Sequence, residues 1–293
     1  MSPLMPVSQP IISTNVRAEP WALRVTRGGF RLLSGVAPGI AAAAAEKLFC
    51  TPRKHGRPEH ERVALASAEP FHVRLGLGQL SAWRWGEGPA VLLAHGWEGR
   101  GSQLYSFVQP LVDAGYSVVA WDAPGHGDSP GRRSSVVEFA DAVWAVGRQV
   151  GDVHGVVGHS LGCAALTHAF SEGLPVDRAV FISAPASLAE YSREFAELIG
   201  IDRKVLARMV ASMEQRYQLH LEDLDVERMG APEDVPLLLI HDENDHEVGL
   251  ECSRRIQGIW PKSRMITTQG LGHRRILRDE QVVRSVVDWM GEF

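Results

Sequence analysis

A chain of 293 residues, 45% hydrophobic and 22% charged, is long enough to bury a sizeable core and too apolar to be disordered or fibrous. Its formal charge of −5 supplies no basic footprint, which argues against a nucleic-acid partner. Cys50, Cys163 and Cys252 are odd in number and widely spaced, so they suggest neither a disulfide framework nor a metal pattern, and a reducing, cytoplasmic setting is the simpler reading.

Residues 1–20 place Pro3, Pro6, Pro10 and Pro20 among polar residues and read as a flexible leader. Over residues 21–49 the apolar spacing predicts helix, broken near Pro38. The alanine-rich part of this segment faintly resembles a secretion signal, but it begins about thirty residues in and follows a polar leader. Packing against the main domain is its plain role, and a flap at a site mouth or an interfacial helix is the functional alternative. Residues 51–62 read as a linker, so an extension over 1–62 precedes a main domain over 63–293. No run of eighteen apolar residues predicts a membrane span, and membrane association is not the favoured reading.

Residues 71–75 and 80–85 alternate around Gly76-Leu77-Gly78, which predicts a β-hairpin. Continuous apolar runs follow at 90–94, 117–121, 155–157, 179–182 and 237–240, with a last strand at 263–268 and a last helix at 279–290. Strands that are apolar on both faces belong to a mostly parallel sheet covered by helices on each side. The fold class is therefore α/β, doubly wound. Residues 185–233 interrupt the pattern with helical spacing in Phe195, Leu198, Val205, Leu206, Met209 and Met213, which predicts a small helical cap beside a fairly open site.

Five segments carry candidate chemistry. Gly158-His159-Ser160-Leu161-Gly162 sits between a β-branched run and a helix-compatible one, and reads as a nucleophile elbow. His95-Gly96-Trp97 follows the first long strand, and Asp122-Ala123-Pro124-Gly125-His126 follows the next. His241-Asp242-Glu243-Asn244-Asp245 follows a late strand, and Gly270-Leu271-Gly272-His273 follows the last. In this order the segments resemble the α/β-hydrolase family over roughly residues 70–293.

That resemblance implies an α/β-hydrolase fold and a serine hydrolase in which Ser160 is the nucleophile, His273 the base and Asp245 the acid. It implies an oxyanion hole built from the backbone amides of Leu161 and Trp97, with the Trp97 indole lining the acyl site. It implies no cofactor or metal, and a small-molecule ester or acyl substrate. The chain departs from the family's H-G-x-x-D pattern by placing Asp242 where glycine is expected and His246 where proline is common, so Asp242 and Glu243 remain rival acids. A serine at the elbow argues against the dehalogenases and epoxide hydrolases of this fold, which use aspartate there.

Several residues also have plainer readings. Asp122 and His126 are read as holding a turn rather than a metal, and Cys163 as packed core. Arg274 and Arg275, like Arg132 and Arg133, are either a solvated face or an anchor for an anionic group. A carboxylesterase is the leading activity. Lipase or lysophospholipase action at a membrane surface, thioesterase, amidase, carbon–carbon bond hydrolase and acyltransferase stay open, because one triad supports each. A non-catalytic binding or receptor protein is the alternative of another class, and the oligomeric state is not legible.

Overall fold

The computed structural model describes residues 21–292; the expected leader over 1–20 lies outside the described residues. Strands β1 (Glu69–Leu75), β2 (Gly78–Trp85), β3 (Ala90–Ala94), β4 (Ser117–Trp121), β5 (Val153–His159), β6 (Arg178–Ile182), β7 (Leu237–Asp242) and β8 (Ser263–Thr268) form one sheet. Their order is β1-β2-β4-β3-β5-β6-β7-β8. The hairpin β1–β2 and the β2–β4 pair are antiparallel, and every pairing from β4 to β8 is parallel. A parallel neighbour can be reached only by a long crossover back to the same end of the sheet, and each such connection here carries helix.

In chain order the helices are α1 (Trp21–Val36), α2 (Pro38–Phe49), α3 (Glu59–Ala66), α4 (Tyr105–Asp113), α5 (Val136–Val150) and α6 (Leu161–Ser171). The rest are α7 (Leu188–Ile199), α8 (Arg203–Tyr217), α9 (Val226–Met229), α10 (Leu250–Ile259), α11 (Gly272–Arg275) and α12 (Glu280–Gly291). Alternate strand residues feed opposite faces. Leu92, Val119, Val156, Phe181 and Leu239 pack with Val143 of α5, Leu166 of α6 and Trp260. Val91, Leu93, Val118, Val157 and Leu238 pack with Phe107 of α4 and with Val286 and Trp289 of α12. This is why the strands read apolar throughout. No helix among the described residues is long and apolar enough to cross a membrane.

A third core explains the alanines. Ala41, Ala42 and Ala45 of α2 pack with Val205, Met209 and Met213 of α8 and with Ala196 and Ile199 of α7. Methyl side chains let two helix backbones approach closely. The extension therefore roofs the inserted segment, whose helices α7, α8 and α9 form the cap. The cleft is less open than the cap alone would leave it.

Residues 51–62 are more than a linker, because α3 begins at Glu59 and charged residues along the segment grip the loops after β3 and β4. Arg53 binds Glu98 through Nε and NH2, both at 2.9 Å. Arg57 reaches Asp122 at 2.5 Å, and Lys54 donates to the Ser129 carbonyl at 2.9 Å. The buried carboxylate of Glu61 accepts from Arg100 at 2.5 and 2.7 Å and from Ser102 at 2.6 Å. Removing one partner of a buried pair leaves the other charge without solvent or counter-ion. Glu61→Ala should accordingly cost about 3–5 kcal/mol of stability, read from denaturant midpoints. A loss under about 1 kcal/mol would show that the pair behaves as a solvated one.

Candidate active site

β5 ends at His159 and α6 begins at Leu161, so Ser160 alone makes the turn. Its φ of 53° and ψ of −122° lie where a side chain is disfavoured. The surroundings enforce the turn: the Ser160 amide donates to the Ile182 carbonyl at 3.0 Å, and the Ser160 carbonyl accepts from Cys163 N–H at 2.9 Å. A Cβ at Gly162 would lie 2.5 Å from the Ala94 carbonyl oxygen, and one at Gly158 would lie 2.7 Å from Leu166 Cδ1. The two glycines let strand and helix close around the serine. The Leu161 amide opens α6, where first-turn N–H groups have no intrahelical acceptor and the helix dipole is positive.

The His95-Gly96-Trp97 turn lies against the elbow, because a Cβ on Gly96 would sit 2.9 Å from Ser160 Cβ. Two neutral histidines hold this turn. His95 Nδ1 donates to the Gly96 carbonyl at 2.7 Å while Nε2 accepts from Ala123 N–H at 3.0 Å. His126 Nδ1 donates to the Pro124 carbonyl at 2.9 Å while Nε2 accepts from Glu98 N–H at 3.1 Å. Each arrangement needs one unprotonated nitrogen. Burial pushes His95 down to about 4, and burial together with His95 pushes His126 down to about 3. Asp122, fully buried, accepts from the amides of Gly101 at 2.8 Å and Asp128 at 2.7 Å. Asp122 and His126 thus brace the loops beside the serine.

Among the rival carboxylates, Asp245 is the one that meets His273: Nδ1 donates to Oδ2 at 2.8 Å. The second oxygen of Asp245 accepts from the amides of Glu247 at 2.8 Å and Val248 at 3.0 Å. Burial would raise the Asp245 pKa, but the His273 hydrogen bond and charge and the two amides prevail and hold it at about 2. Asp242 instead ties down the loop that carries the histidine, accepting from Thr268 Oγ1 at 2.7 Å, Leu271 N–H at 3.0 Å and Asn244 N–H at 3.0 Å. Glu243 is exposed. The glycine of the family pattern is thus replaced by a carboxylate that rigidifies the turn.

His159 and His241 are contributions that the sequence reading missed. His159 Nε2 donates to the His273 carbonyl at 2.8 Å, linking the elbow to the histidine loop. Burial and the neighbouring His273 push its pKa down to about 3. His241 Nε2 donates to the Val248 carbonyl at 2.9 Å, steadying the segment that supplies Asp245. Ser160 and His273 themselves form no direct hydrogen bond in this structure; such contacts commonly tighten only when substrate is bound.

The elbow opens into a cavity lined by Trp97, Leu161, Val136, Leu188, Leu221 and Val248 beside Ser160. Phe49 and Cys50, from the extension, also line it. The sequence offers a flap at a site mouth as an alternative for residues 21–49, but no pattern singles out position 49 within it. Glu214 is the one charged residue among the described residues that line it. Arg274 faces Glu247 at 3.2 Å and Arg275 bonds the Gly270 carbonyl at 2.7 Å, so both sit outside the cavity. Burial raises the Cys163 thiol well above its ordinary value, as expected of packed core.

A family model described as "alpha/beta hydrolase fold" matches residues 89–226, and one described as "TAP-like protein" matches residues 221–289. A pimeloyl-[acyl-carrier protein] methyl ester esterase of Neisseria meningitidis is 27% identical over 145 residues, 49% of this chain and 54% of that protein. The chain spans about half the length of this curated relative. An esterase from Exiguobacterium antarcticum superposes with a TM-score of 0.61 at 15% identity, covering 76% of this chain and 100% of that one. A Pyrococcus furiosus esterase gives 0.61 at 18% identity, covering 82% and 98%. At such identities the two structures speak for the fold alone. With the two family models overlapping at 221–226 and together running from β3 through the elbow and the last strand into α12, the chain belongs to the α/β-hydrolase family.

Proposed function

We propose that this protein is a serine hydrolase that cleaves a carboxylic ester of a small molecule through an acyl-enzyme. The observation that carries the reading is the 2.8 Å Asp245–His273 hydrogen bond on a loop tied by His159 to a strained Ser160. With Nδ1 donating to Asp245, His273 keeps Nε2 as its basic nitrogen. In the proposed sequence Ser160 Oγ attacks the ester carbonyl while Nε2 takes the hydroxyl proton. The oxyanion forms beside the Leu161 and Trp97 amides, fixed donors that need no reorganisation. His273 passes its proton to the departing alcohol, and water, deprotonated by the same imidazole, releases the acid. No cofactor enters these steps.

The cavity lining favours an uncharged aliphatic or aryl acyl group. A free carboxylate at the acyl end would be buried beside Glu214 with no cation among the described lining residues to pair with. The test is hydrolysis of p-nitrophenyl esters from acetate to palmitate by the wild type and by Ser160→Ala. The wild type should turn over with a chain-length optimum, and the variant should lose at least roughly 10⁴-fold in kcat. Equal rates in the two proteins would remove Ser160 from the mechanism.

A further inference from the structure

The outer side of α1 carries Trp21, Val25, Leu32 and Val36, which are 78%, 65%, 73% and 74% exposed, and α2 continues the stripe with Ile40, 64% exposed. Spacings of four, seven and four residues keep the α1 side chains on one helix face. The opposite side, with Phe30 and Leu33, packs on the third core. Exposed Arg24 and Arg31 flank the stripe, and exposed Lys47 lies at its far end. Across residues 21–49 the single acid is Glu46, which is buried and paired with Arg216 at 2.6 Å. The outward charge is thus purely cationic, on a chain whose net charge is −5.

We propose that α1 and the outer side of α2 dock on an anionic lipid surface. An apolar stripe flanked by cations lies in the interface plane, with its side chains in the acyl boundary and its arginines at the headgroup phosphates. At 16 residues α1 is about 24 Å long and lies on the bilayer without crossing it. Its placement serves the cavity: Leu48 is exposed, and the next residue, Phe49, lines the cavity that opens at Ser160. Docking would set an apolar cavity at the edge of a lipid layer. This deepens the hydrolase reading by giving its substrate a lipid source, while the docking itself does not depend on turnover.

The experiment is co-sedimentation of the full chain carrying Ser160→Ala with vesicles of phosphatidylcholine alone or mixed equally with phosphatidylglycerol, in 0.1 M salt. Binding is expected on the anionic vesicles and should weaken in 1 M salt. Arg24→Gln with Arg31→Gln should weaken it about 30-fold, and Val25→Ser with Leu32→Ser by roughly tenfold or more. Both double variants, made in the Ser160 chain, should hydrolyse soluble p-nitrophenyl acetate at the wild-type rate. Equal binding to both vesicle types, no binding, or double variants that bind like the parent would overturn the proposal. So would a dimer that Val25→Ser with Leu32→Ser dissolves, since the stripe would then belong to a second copy. Loss of ester hydrolysis with vesicle binding intact would instead count against the hydrolase reading alone.

Discussion

Asp245→Asn is expected to lower kcat for a soluble ester roughly 10⁴-fold, because the amide cannot hold the His273 tautomer or stabilise its cation. Asp245 is the carboxylate that His273 Nδ1 reaches, at 2.8 Å, and its other oxygen is fixed by two amides. Asp242→Asn changes a different thing. Asp242 bonds Thr268, Leu271 and Asn244, so its loss should cost about 1.5–3 kcal/mol of stability, with kcat kept within about tenfold. Comparing kcat of the two variants with their unfolding midpoints separates the roles. Equal losses of turnover at equal stability would assign the acid wrongly.

Mild acid should unfold the protein. His95, His126 and His159 are buried and neutral, with pKa values pushed to about 4, 3 and 3 by burial first, and then by the Arg100 and Arg57 charges at His95, by His95 at His126 and by His273 at His159. In the unfolded chain each takes a proton near pH 6.5, so between that pH and the folded value the unfolded state binds more protons. Stability is therefore fully present above pH 6.5 and is lost as pH falls, at about 1.4 kcal/mol per pH unit for each histidine. Three histidines over two units give roughly 8 kcal/mol, comparable with the total stability of a domain. Asp141 and Asp225, raised by burial, act in the opposite sense. Asp245 matters only lower: its folded pKa of about 2 makes it contribute above pH 3.8 and lose that contribution as pH falls towards 2. Thermal unfolding at pH 7.5, 5.5 and 4.5 should show a steep fall in midpoint, and a flat profile would mean these rings are protonated at little cost.

The sheet was legible because its strands are buried on both faces, and a continuous apolar run such as Leu237-Leu238-Leu239-Ile240 has few other uses. The elbow was legible because close packing of strand on helix demands small residues at Gly158 and Gly162. What escaped was long-range. Nothing local to Arg53, Arg57 or Glu61 says that they grip Glu98, Asp122 and Arg100, so a Pro- and charge-rich stretch reads as a linker. The five consecutive alanines around Ala42 read as a weak targeting signal until α8 is placed against them. Position 159 within the elbow motif accepts many residue types in general, and the use of His159 here depends on a carbonyl 114 residues away.

Intact-protein mass spectrometry after treatment with a fluorophosphonate reads the activation of a nucleophilic Ser160 by His273 without needing the natural substrate. A single covalent adduct is expected, mapped to the peptide containing Ser160 and absent from Ser160→Ala and from His273→Ala. No adduct on the folded wild-type protein, or one that persists in Ser160→Ala, would contradict it and favour a hydrolase fold kept for binding.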